Sequence, residues 1–209
     1  MLNLKEALRF PLQEPGARKR ALIGGVLNLL PVVNLLAWGY AFRIFRAFLQ
    51  REDPPLPPWE GWADLLLAGT IILLIELGYG IVPLLMVAMG LGLLVKGGTL
   101  MWIGLVVIII GMLGGLTVGF FLPMGLARYA LVGRIEAAFQ PQTLWTQINK
   151  NLGDYVAAFL LCLLCLLITG LLLAIPYLGL PLWLFISFYL MLAFAKLFGE
   201  ACSRATQPG

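Results

Sequence analysis

The chain has 209 residues, is 61% hydrophobic and only 11% charged, whereas a soluble domain carries about 25% charged residues. That balance excludes a soluble globular class and leaves an integral membrane protein of one domain. A net charge of +4 with no histidine removes His-ligated metal and haem sites and the commonest general base. The basic residues cluster beside apolar runs, which points to lipid headgroups and away from nucleic acid.

Residues 1–20 mix Leu2, Leu4, Leu8 and Phe10 with Lys5, Glu6 and Arg9. They predict a short amphipathic segment on the membrane surface, without the layout of a signal peptide. The first apolar segment, ALIGGVLNLLPVVNLLAWGYAF at 21–42, is cut by Pro31 and Asn34 into arms of ten and eleven residues. Each arm reaches about 15 Å, half of a hydrocarbon core of about 30 Å. Length permits either a hairpin over 21–49 or one span kinked at Pro31. Residues 50–63 hold four prolines between Gln50 and Trp62, which exclude helix and predict a stiff link. Trp59 and Trp62 at its end suit the headgroup layer, as do Arg43 and Arg46 at the exit of the hairpin.

The second segment, 64–95, is too long for a perpendicular span and must tilt, bend near Pro83 or protrude. Lys96-Gly97-Gly98 is a turn into a third segment at 99–122. Residues 123–152 read as an interfacial stretch, with Leu144, Ile148 and Leu152 at helical spacing. The fourth segment, 155–175, follows Asp154, a plausible helix cap. An uncharged turn at 176–181 leads to the fifth, 182–198. Two decads echo each other: LLPVVNLLAW and AIPYLGLPLW, both readable as hydrophobic hairpin turns.

Charge decides between the topologies. If the first segment crosses, six basic residues lie on one side and eight on the other, which is no bias. If it enters and returns, thirteen of fourteen are cytoplasmic and Lys96 alone is outside. The positive-inside rule therefore favours a re-entrant hairpin followed by four spans, with both termini cytoplasmic.

Few residues carry chemistry. Glu76 is the only ionisable residue well inside a span, about 18 Å into its segment. It reads either as a proton or cation site, or as a protonated acid bonded to Tyr79 three residues on or to a partner helix. Asn28 and Asn34 flank the break at Pro31, where they are expected to satisfy backbone groups freed by the turn. Gly111, Gly115 and Gly119 place three bare patches on one helical face. That face suits a helix of this chain, a second copy or a foreign membrane protein. Cys162 and Cys165 are expected as small packing residues and Cys202 as a reduced thiol. Glu52, Asp53 and Glu60 form a solvated acidic loop. The sequence carries no phosphate loop, dinucleotide fingerprint, zinc spacing or nucleophile–base pair, so no catalytic residue, metal ligand or cofactor is expected.

The blocks GGVLNLLPVVNLLAWGYAFRIFR and LPPWEGWADLLLAG resemble the domain of unknown function 4013 family, a group of small prokaryotic membrane proteins. The resemblance covers residues 18–85 well, with Tyr79 and Pro83 a looser fit and Glu76 outside the pattern. It implies a several-pass protein of a prokaryotic inner or internal membrane, without an assigned activity or catalytic residues. The expected function is a non-catalytic scaffold or accessory subunit that packs against membrane proteins or lipids. The alternative is a small transporter or channel using Glu76.

Overall fold

The computed structural model describes residues 4–12, 15–52 and 55–206, so Leu2 and Asp53 lie outside the described residues. The helices are α1 (Leu4–Arg9), α2 (Pro15–Asn28), α3 (Asn34–Leu49), α4 (Trp62–Leu94), α5 (Gly98–Val132), α6 (Pro141–Lys150), α7 (Leu152–Gly170) and α8 (Gly179–Thr206). Short 3-10 turns occupy Phe10–Leu12, Ile135–Phe139 and Leu171–Ala174. Among the described residues there is no strand. Four helices are long and apolar enough to cross a membrane: α4, α5, α7 with its extension to Ala174, and α8. Half of the α8 apolar stretch is buried, against 11% for α4 and 6% each for α5 and α7. The central helix is therefore α8, and the other three turn apolar sides outward.

Residues 15–49 form a helical hairpin. Asn28 meets Leu184 and Ser187 while Gly24 packs on Phe188, so α2 runs antiparallel to α8. Tyr40 lies beside Phe188 and Phe48 beside Gly199, so α3 runs parallel to α8 and antiparallel to α2. The break at Pro31 is thus a reversal and not a kink in one helix. The echo between the two decads extends to the backbone. Val32 and Tyr177, each directly after a proline, have φ of 68° and 63°. The Asn34 N–H donates to the Leu30 carbonyl at 2.9 Å, and the Gly179 N–H to the Ile175 carbonyl at 3.0 Å. Asn34 and Gly179 each open the next helix. One proline-centred turn is used twice, between α2 and α3 and between α7 and α8.

Helix boundaries differ from expectation in three places. The third segment does not stop at 122: α5 continues through Pro123 to Val132. Proline inside an apolar helix is tolerated when neighbouring helices satisfy the backbone it frees: the Tyr155 hydroxyl of α7 donates to the Phe120 carbonyl at 2.7 Å and accepts from the Met124 N–H at 3.3 Å. The stretch 123–152 therefore divides into the end of α5, a 3-10 turn and α6, whose Leu144 and Ile148 are buried. The last helix continues past 198 to Thr206. Asp154 does not cap α7, which begins two residues earlier; it pairs with Arg204 at 2.6 Å.

The core lies between α3 and the part of α8 from Phe188 onward, around Tyr40, Ile44, Leu49, Phe188 and Leu192. Lys196 is buried within it, paired with Glu6 at 2.9 Å and lying over the rings of Phe10 and Phe48. The closest helix crossing is between α3 and α4. A Cβ on Gly39 would sit 1.9 Å from the Leu65 carbonyl oxygen, and one on Gly69 1.9 Å from that of Leu35.

Candidate intramembrane site

Glu76 projects from α4 where α3, α5 and α8 converge. It is half-buried and lines two spaces. The first is a cavity of about 150 Å³ walled by apolar side chains, among them Phe42 and Phe45 of α3, Leu122 and Pro123 of α5, and Phe194 and Phe198 of α8. The second is an open groove of about 490 Å³ between α4 and α5, bounded by Tyr79, Gly80 and Pro83 on one side and Gly115, Val118 and Gly119 on the other. Among the described residues, no hydrogen bond or ion pair reaches the Glu76 carboxyl group.

Tyr79 does not serve Glu76. Its hydroxyl donates to the Ala138 carbonyl, and its ring stacks on Phe139 at 4.9 Å. It pins the 3-10 turn Ile135–Phe139 against α4, close to the far end of α5. The expected Glu76–Tyr79 bond is therefore absent. The physical reason is the nearby carbonyl of an irregular turn, which needs a donor that an apolar environment cannot supply.

The asparagines also divide. Asn28 does not serve its own turn; its amide donates to the Leu184 carbonyl at 2.7 Å and the Ser187 hydroxyl at 3.1 Å. It ties the hairpin tip to α8. Asn34 is half-buried and begins α3 with its backbone N–H bonded to Leu30.

The glycine face is engaged at one end only. A Cβ on Gly111 would lie 2.9 Å from Val87 and 3.1 Å from the Pro83 carbonyl oxygen. At Gly115 the nearest atom is 3.8 Å away, and at Gly119 nothing lies within 4 Å. The helices that touch at Gly111 thus diverge toward Glu76, and the divergence is the groove. The tightest α4–α5 contact is instead Gly90 against Gly104, a pair not singled out in the sequence. Its signal was present, a glycine on each arm at matching distance from the Lys96 turn.

Trp59 and Trp62 part company. Trp59 is half-buried, stacked on Tyr40 at 4.1 Å, and donates to the Arg20 carbonyl at 3.0 Å. The Tyr40 hydroxyl donates to the Pro57 carbonyl at 2.6 Å. Burial pushes that hydroxyl above its ordinary pKa, opposed by Arg20 and then Arg43. Trp59 therefore clamps the proline-rich link onto the hairpin, while Trp62 is exposed beside it. Arg43 donates to the Glu60 carbonyl at 3.0 Å, and Arg46 is exposed.

A family model described as "Protein of unknown function (DUF4013)" matches residues 23–178. That stretch contains the whole of α3 to α7, and hence Glu76 and both walls of the groove. No curated protein and no solved structure matches the chain.

Proposed function

The chain belongs to the DUF4013 family of proteins of unknown function, and we propose that it is a non-catalytic membrane accessory subunit that receives a transmembrane helix of another protein in the α4–α5 groove. One observation carries this reading. The groove of about 490 Å³ has bare backbone at Gly115 and Gly119 and an unpartnered carboxyl group at its floor. Small residues let a second helix approach closely and gain dispersion contact. A carboxyl group in an apolar surround costs free energy until a hydrogen-bonding group meets it. A foreign helix carrying one polar side chain satisfies both conditions.

The test is affinity purification of the full chain in a gentle detergent beside one variant. A Cβ at Gly119 meets no atom within 4 Å, so Gly119→Leu grows into the open groove from an uncrowded position. A membrane protein retained in fixed ratio by the wild type and lost from Gly119→Leu supports the reading. Retention by both sinks it. Replacement of a protein by a bound lipid in the wild type also contradicts it.

The re-entrant topology belongs to the same reading. The antiparallel path of α2 and α3 returns the chain to the end of α8 where it entered, and the basic residues of the chain then gather on the cytoplasmic side. A second reading, a small transporter, is favoured by Glu76 lining both spaces. Its signature is proton or cation flux in proteoliposomes that Glu76→Gln abolishes.

A further inference from the structure

A second groove lies on the other face of the α3–α4 crossing. It encloses about 250 Å³ between α3, the start of α4 and the end of α5. Its floor is apolar, with Phe42, Leu65, Ala68 and Ile71. Its mouth carries Arg43, Arg46, Asp64 and Tyr129. The packing of Gly39 on the Leu65 backbone holds the next turn of α3, with its arginines, beside α4. The Tyr129 ring stacks on Phe42 at 5.7 Å, and Tyr129 lines the same groove.

The polar groups there are underused. Arg43 gives one Nη to the Glu60 carbonyl. Among the described residues, the Arg46 guanidinium and the Tyr129 hydroxyl have no side-chain partner, and Asp64 forms no ion pair with either arginine. Two guanidiniums against one carboxylate leave a net positive mouth over an apolar floor.

We infer that this groove binds an anionic phospholipid, with the phosphate held by Arg43, Arg46 and Tyr129 and an acyl chain laid along Leu67 and Ile71. Guanidinium groups match phosphate oxygens in geometry and charge. The floor leads onto Leu67 and Leu74, which are exposed on a helix apolar enough to span a membrane. A free phosphate ion would make no use of that floor. Trp62 is exposed at the same level of α4, as suits the headgroup layer. The inference is independent of the α4–α5 groove and of any protein partner.

The experiment is native mass spectrometry of the delipidated full chain with equal concentrations of dioleoyl phosphatidylglycerol and dioleoyl phosphatidylcholine. The wild type retains one phosphatidylglycerol in preference to phosphatidylcholine. Arg46→Gln, which breaks no internal bond, weakens that binding by about tenfold, the loss of one charge-assisted contact. Tyr129→Phe weakens it less, and Arg18→Gln on α2, outside the groove, leaves it unchanged. Equal retention of the two lipids overturns the inference. So does an equal loss in Arg18→Gln, which would mark diffuse attraction, or displacement of the lipid by an equal concentration of inorganic phosphate.

Discussion

Replacing Gly39 by alanine tests the crossing that borders the α3–α4 groove. The added Cβ would lie 1.9 Å from the Leu65 carbonyl oxygen and 2.7 Å from the carbonyl carbon. Ordinary contact begins near 3.4 Å, so α3 and α4 must part by about 1.5 Å. Both obstructing atoms are backbone, so no side chain can rotate away. Overpacking of this kind costs about 1–3 kcal/mol. Alanine's better helix propensity returns up to about 1 kcal/mol. A backbone clash this short belongs at the upper end of the overpacking range, so the expected net loss is about 2 kcal/mol. Gly92→Ala is the control, because nothing lies within 4 Å of a Cβ there and only the propensity gain of up to about 1 kcal/mol remains. Unfolding of both variants in the same detergent, followed by circular dichroism against denaturant, gives the comparison. Gly39→Ala matching or exceeding wild-type stability would refute the close crossing, as would an equal loss in Gly92→Ala.

Three further outcomes follow from named contacts. Asn28→Ala removes both bonds to α8 and should lower stability by about 1–2 kcal/mol, measured by the same unfolding curves. Val32→Gly should raise stability by up to about 1 kcal/mol, because a left-handed backbone is costly for a β-branched residue and free for glycine; an unchanged or lower midpoint would count against the turn geometry. Reporter fusions at residue 51 and at the C-terminus should both report the cytoplasm, and an external signal at either removes the re-entrant hairpin.

Much of the architecture was legible because apolar length and proline placement are local properties. The four long helices, the Lys96 turn and the break at Pro31 need no tertiary knowledge. The matched turns at Pro31 and Pro176 were visible as a weak echo, and the shared positive φ at Val32 and Tyr177 gives it a physical basis. Partnership was not legible. Asn28 lies beside the break it was expected to serve, yet its partners are on α8, 156 and 159 residues away. Tyr79 is three residues from Glu76 and bonds to an irregular turn 59 residues on. Glycine spacing found the Gly111 face but could not say where that face stops touching α4. Nor did it mark Gly39 and Gly69, which lie on different helices and matter only because the helices cross there. Pro123 looked like a terminus because a proline inside an apolar helix depends on neighbours that composition does not name.

The central claim is that the α4–α5 groove receives a foreign transmembrane helix. A photo-crosslinking amino acid placed at Val118, which lines the groove, tests it in intact membranes. The control position is Leu167 on α7, which is exposed elsewhere. The account predicts a single membrane-protein adduct from position 118, absent from position 167 and suppressed by Gly119→Leu. Adducts to lipid alone, or the same protein captured from both positions, would contradict it.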